Sequence, residues 1–119
     1  MKRIRSVKKP STDDLIAEGK LVAVYPNERA VEVTIRIGRP VPHSKGDWVC
    51  ATHCEGFQNK NFNGPSEIIG VGSWHALMLG LRYLREILQS EERQGAVFCW
   101  EDGQRRIGVD ELFALHEIT

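Results

Sequence analysis

Apolar and polar residues alternate most regularly over residues 30–37, where Val31, Val33, Ile35 and Ile37 interleave with Glu32, Thr34 and Arg36. A period of two places one set on each face of an extended chain, so the segment reads as a strand with a core face and a wet face. Antiparallel sheets covered on one side produce this pattern. Residues 20–25 carry Leu21, Ala23 and Tyr25 on one face and Val22 and Val24 on the other, a strand buried on both sides or nearly so. Between the two runs, Pro26-Asn27-Glu28-Arg29 is a turn in which Pro fixes φ and Asn tolerates a left-handed conformation, so the pair forms a hairpin. Ahead of them, Ser11-Thr12-Asp13-Asp14 offers N-caps for a short helical turn through Leu15, Ile16 and Ala17, with Gly19 as its stop.

Gly38, Pro40, Pro42 and Gly46 make residues 38–46 a loop. Residues 48–55 follow as a strand, with Trp48, Cys50, Thr52 and Cys54 on one side and Val49, Ala51 and His53 on the other. Residues 56–65 are polar and turn-rich and carry two aromatics, Phe57 and Phe62, with no obvious core to join; residues 66–71 return as a strand through Ile68 and Ile69. Over residues 73–92 the period changes. Trp74, Leu77, Leu81, Leu84 and Leu88 recur at helical spacing with Met78 alongside, and Ala76, Leu79, Gly80, Tyr83 and Ile87 form a second apolar row. The polar stripe, His75, Arg82, Arg85, Glu86 and Gln89, is narrow, so the helix lies deep against a sheet or is covered by a second copy, and a homodimer is one expectation. Gly80 costs about 1 kcal/mol relative to Ala inside a helix, and close approach to a strand is its compensation. Gly72 or Ser73 caps the start and Gly95 stops the end. Residues 96–100 form another strand, Asp102-Gly103 signals a hairpin, residues 104–109 are a weaker return strand, and Asp110 caps a last turn through Leu112, Phe113 and Leu115. The expected fold class is α+β, a two-layer sandwich in which a mainly antiparallel sheet of about five to six strands packs on one long helix, with a C-terminal hairpin.

The 119 residues suit one domain with one core, and a hydrophobic content of 41% excludes a fully disordered chain. The net charge is zero, from 16 Lys and Arg against 16 Asp and Glu, but it hides an asymmetry. Residues 1–10 hold Lys2, Arg3, Arg5, Lys8 and Lys9 and no acid; without those five, residues 11–119 carry 11 basic against 16 acidic side chains. The organisation expected is a basic flexible tail, 1–10, and a single α+β domain, 11–119. The tail resembles the n-region of a signal peptide, yet no apolar stretch follows it, and no apolar run approaches the roughly 18 residues of a membrane helix. The expected compartment is the cytoplasm. Zero net charge argues against a dedicated nucleic-acid binder, except through the five tail cations acting as an arm.

Three segments together resemble a family of small bacterial domains of unknown function: Arg36-Ile37-Gly38-Arg39-Pro40, Gly46-Asp47-Trp48-Val49-Cys50, and Gly70-Val71-Gly72-Ser73-Trp74-His75-Ala76-Leu77. The resemblance runs over roughly residues 15–110, with Gly72 and His75 standing where relatives more often carry Asp and Gln. It implies bacterial origin and a compact α+β domain and supplies no activity. Small orphan bacterial domains often stand beside toxins as immunity proteins.

Chemistry is sparse along the chain. Cys50, Cys54 and Cys99 are an odd set without an export signal, which argues for reduced thiols packed as small hydrophobes. A zinc site from Cys50, His53 and Cys54 requires a bulge, because on a regular strand the two cysteines are about 13 Å apart and His53 points to the other face. Pairing Cys54 with His53, or Cys50 with His75, as a nucleophile requires a thiolate-favouring environment that the sequence does not display. Gly70-Val71-Gly72-Ser73 lacks the third glycine of a dinucleotide loop and the lysine of a phosphate loop. Glu91-Glu92 and Glu101-Asp102 read as solvated surface. Protein recognition fits better: Phe57 and Phe62 among Gln58, Asn59, Asn61 and Asn63 have the make-up of a binding loop, and Glu55, Glu67, Glu101 and Asp102 would add an acidic rim if they cluster. The expected function is therefore a non-catalytic protein-binding module of the immunity type, with no cofactor or metal, facing a protein partner that a basic toxin would suit through electrostatic steering. A nucleic-acid accessory protein using the tail and a small zinc- or thiol-dependent enzyme are the alternatives.

Overall fold

The computed structural model describes residues 14–114, and the five tail cations lie outside them. Strands β1 (Leu15–Val24) and β2 (Ala30–Gly38) form the expected hairpin, in register from Val24 opposite Ala30 to Ala17 opposite Ile37. The helical turn expected through Leu15, Ile16 and Ala17 is instead the start of β1. A one-turn helix gains little for the dihedrals it fixes. Here the same residues have a ladder to join, with Leu15 opposite Gly38, an irregularity between Leu15 and Ala17, and the Arg39 N–H donating to the Asp14 carbonyl at 2.7 Å.

Strand β3 (Val41–Pro42) is two residues long and pairs with Val49 and Trp48 at the start of β4 (Trp48–Glu55). The other half of β4, Thr52 to Glu55, pairs with β2, and β5 (Gly64–Gly70) runs along β4 from Trp48 to Cys54. Residues 48–49 and 52–54 thus have partners on both sides, which places β3 end to end with β2 along one edge of β4 and β5 along the other. β6 (Val97–Cys99) pairs with Val22 to Val24 on the outer edge of β1. Every pairing is antiparallel. Beyond β6 the Asp102-Gly103 turn brings the chain back. The return is one bridge wide, Cys99 opposite Arg106, flanked by backbone bonds between Trp100 and Arg105 and between Ile107 and Phe98, each 2.9 Å.

The inner face of this curled sheet carries Leu21 and Ala23 from β1 and Tyr25 directly after it, Val33, Ile35 and Ile37 from β2, and Cys50, Thr52 and Cys54 from β4, all buried. Against it lies α1 (Ser73–Arg93), so the fold is α+β with one long helix on a mostly antiparallel sheet. The buried stripe of α1 is Ala76, Gly80, Leu84, Ile87, Leu88 and Glu91. It centres on the row of small residues, while Leu77 and Leu81 flank the core and Trp74 is 73% exposed. Small side chains let the helix axis approach the sheet, so the first half of the contact centres on Ala76 and Gly80 with Trp74, Leu77 and Leu81 turned to the side, while Leu84 and Leu88 of the same bulky row stay on the buried stripe. A Cβ at Gly80 would stand 3.0 Å from Cys50 Sγ and 3.1 Å from Ile37 Cδ1, which is the expected compensation for glycine inside a helix. Gly72 caps the helix without a side chain, and His75 Nδ1 accepts the Val71 N–H at 2.9 Å, satisfying a donor just ahead of the cap. A short helix, α2 (Val109–Leu112), is tied to α1 by Arg85, which donates to Asp110 Oδ1 at 2.7 and 3.1 Å.

Gly80→Val forces branched atoms into the space held by Cys50 and Ile37. Overpacking of this kind costs about 1–3 kcal/mol, so the midpoint of urea unfolding falls with its slope unchanged.

Candidate functional site

The polar segment between β4 and β5 is tied by its own hydrogen bonds and anchored by buried side chains. It starts at Gly56, whose φ of 91° and close approach to the Glu32 carbonyl (2.3 Å from where a Cβ would sit) leave no room for another residue. Phe57, a candidate partner contact from the sequence, is 3% exposed and belongs to the core, so it is not available for contact. Phe62 is half-buried against that core, so the two aromatics anchor the loop from below. Asn63 clamps the ends: its Oδ1 accepts the Phe57 N–H at 2.9 Å and its Nδ2 donates to the Phe57 carbonyl at 3.0 Å. Asn59 Oδ1 accepts the Asn61 N–H at 3.0 Å and starts a single tight helical turn over Lys60–Phe62. Gln58, Asn59, Lys60 and Asn61 remain exposed on a backbone whose geometry is already set.

Beside the loop, three elements meet at Glu91, which is 2% exposed. Tyr25, at the end of β1, donates its O–H to Glu91 Oε1 at 2.6 Å, and the Gln58 N–H lies 3.1 Å from the same oxygen and 3.0 Å from the Tyr25 oxygen. Burial first, and then the hydrogen bond to Glu91, push the Tyr25 phenol up to about 12. The β1–β2 turn borders this point, with Glu28, rather than Asn27, holding the left-handed position (φ 65°) while Asn27 Oδ1 accepts the Arg29 N–H at 3.0 Å. Between the turn, the loop and the last turn of α1 opens a cleft of about 450 Å³, lined by Asn27, Gln58, Asn59, Ser90, Glu91 and Gln94 together with Tyr25 and Pro26. By charge and adjacency Glu91 and Glu92 read as solvated surface, but Glu91 is buried. The signal was present in the helical period, because Glu91 follows Leu84, Ile87 and Leu88 at seven, four and three residues on the buried stripe.

The expected acidic rim does not assemble. Glu55 Oε2 accepts from Arg36 at 3.0 Å on the outer face of the sheet, where Arg36 also donates to Glu18 at 2.6 Å and lies 3.3 Å from His53 Nδ1. The hydrogen bonds that Arg36 donates to Glu18, and then to Glu55, raise its pKa further. Glu101 and Asp102 stand beyond β6, separated from Glu55 by β1 and β2 in the strand order. Asp102 builds its turn instead: its Oδ1 accepts the Gln104 N–H at 2.8 Å, which holds the carboxyl below its usual range.

Cys50 and Cys54 face the core and His53 faces outward, so the three do not converge, and among the described residues no three His, Cys, Asp or Glu side chains group as metal ligands would. All three cysteines are free and buried. Burial pushes the Cys50 thiol up to about 11 and the Cys54 thiol to about 12, opposite to what a nucleophile needs. Among the described residues no helix is long and apolar enough to cross a membrane. Residues 20–116 match the model of a family described as a domain of unknown function, DUF6968. No curated protein and no solved structure matches the chain.

The raised phenol makes an alkaline prediction. Because the folded-state pKa lies above the unfolded value, the contribution of Tyr25 is fully present below pH 10 and is lost as pH rises from 10 to 12, by roughly 2 kcal/mol. Urea titrations at pH 9 and pH 11.5 should show a smaller alkaline loss for Tyr25→Phe than for the parent, with Tyr25→Phe already about 1–3 kcal/mol weaker at pH 7 through the lost donor. Alkylation by iodoacetamide at pH 8 should leave Cys50 and Cys54 unmodified until urea unfolds the chain, as peptide mass mapping would read.

Proposed function

From the premise that the chain belongs to the DUF6968 family, we propose that it is a non-catalytic protein-binding module of the cytoplasmic immunity type, which neutralises a basic partner such as a nuclease toxin by direct contact. The observation that carries this reading is the loop: exposed amides at Gln58, Asn59 and Asn61 on a backbone locked by Asn63, Gly56 and buried Phe57. A surface ordered before contact loses little conformational entropy on binding, so its hydrogen bonds count nearly in full. Phe57 supplies rigidity and Asn59 and Asn61 supply contact. The acidic excess over residues 11–119 favours encounter with a cationic protein at low ionic strength. The thiol-enzyme alternative has no support in the two core cysteines, whose burial keeps them protonated.

The test is to mix the full chain with the product of an adjacent toxin gene. A stoichiometric complex in sedimentation and relief of toxicity on co-expression are expected, with affinity falling as salt rises. Changing both Gln58 and Asn61, whose exposed side chains make no hydrogen bond among the described residues, to Ala should weaken binding at least about tenfold, or about 1.4 kcal/mol, at unchanged melting temperature. Absence of a complex overturns the reading, and full affinity in the double variant removes the loop from it.

A further inference from the structure

Glu91 combines features that are costly to keep together. It is almost completely buried, it borders an open cleft, and among the described residues its side-chain hydrogen bonds come only from the neutral Tyr25 hydroxyl and the Gln58 backbone N–H. Both donors go to Oε1. Among the described residues no lysine, arginine or histidine forms an ion pair with it; Arg29 acts at Coulomb range on its neighbour Tyr25. A buried acid is ordinarily matched by a cation, because neutral donors offset only part of the lost hydration. The cleft also sits at the C-terminal end of a 21-residue helix, where the carbonyl ends of the peptide dipoles favour positive charge. The side chains of Ser90, Gln58 and Gln94 border the opening and make no hydrogen bond within the described chain, leaving polar groups free to meet a ligand. The cavity is far larger than the site of one water molecule.

We propose that the cleft between the β1–β2 turn and the end of α1 receives a guanidinium or ammonium group, with Glu91 as its counter-ion and the surrounding amides as further acceptors. The cation would approach the side of the carboxyl group that Tyr25 and Gln58 leave open, while those two donors hold the group in place. This deepens the partner-binding reading by naming the side-chain class that the partner offers, and it rests on that reading for its biological source. A small cation tests the cleft without any partner, so the two can fail separately.

The probe is N-ethylguanidinium, added to the ¹⁵N-labelled full chain at low salt and followed by amide chemical shifts. Saturable shifts confined to Gln58, Asn59 and residues 90–95 are expected, in roughly the millimolar range that so few heavy atoms supply. N-ethylurea, neutral and of the same shape, should produce none. Glu91→Gln keeps an acceptor for Tyr25 and Gln58 and should weaken the guanidinium at least about tenfold. Should that variant fail to fold, Gln94→Arg, at an exposed rim position, places a competing guanidinium at the mouth and should abolish the shifts. A Gly-Arg-Gly peptide that binds more tightly than the bare cation assigns the site to a partner's side chain, and equal affinity assigns it to a free amine; both support the proposal. No shift at about 50 mM, equal response to the urea, or undiminished binding in Glu91→Gln and Gln94→Arg overturns it.

Discussion

Glu91 cannot be buried at the end of α1 without donors, and it takes them from two separate parts of the chain. A carboxyl group removed from water with no partner costs several kcal/mol, so the folded state is defined around satisfying it. Tyr25 reaches it only if β1 keeps its register to the last residue before the turn, and the Gln58 N–H reaches it only if the loop leaves β4 at the angle set by Gly56. One side chain therefore reports on the sheet, the helix and the loop at once. Lost at any of the three, the contact leaves a buried polar group behind, which is why the network specifies geometry more than it adds net stability.

The depth of Glu91 follows from packing earlier in the helix. Ala76 and Gly80 let α1 settle close to Cys50 and Ile37, and Leu84, Ile87 and Leu88 continue the contact along the same stripe. A helix seated at that distance carries the next residue of its stripe into the interior whatever its polarity. Glu91 is thus placed by the residues before it and satisfied by residues from elsewhere. The cleft is the space left where the helix ends and the β1–β2 turn and the loop do not close over it.

The parts of the fold that local pattern controls were legible. Alternation located β2, the change of period located α1, and turn residues separated them, since each signal is written within a few neighbouring positions. The start of β1 was not legible, because Leu15 to Ala17 choose a strand only when β2 is there to pair with. The polar make-up of the loop is legible, but not that Phe57 leaves it for the core, because nothing adjacent in sequence shows that the inner face of the sheet lies below. Glu91 was hidden by chemistry rather than by distance. Its position in the helical repeat marks it as buried, but its charge and its neighbour Glu92 suggest surface, and the donors that settle the conflict lie 33 and 66 residues away.

The distribution of reactive and polar groups bears on what the molecule does. Its thiols are in the apolar interior, where burial keeps them protonated, and its most polar buried group is held by neutral donors at the margin of an open cleft. Catalysis by general base or nucleophile needs a reactive group with a second one in reach to accept or deliver its proton. Here the partners of Glu91 are a phenol pushed up to about 12 and a backbone amide, neither of which exchanges protons readily near neutrality. What such an arrangement does well is hold a carboxyl group in a fixed place. In the proposed reading, a fixed carboxyl group beside an ordered row of amides serves recognition, and its selectivity comes from the desolvation cost that any uncharged occupant leaves unmet.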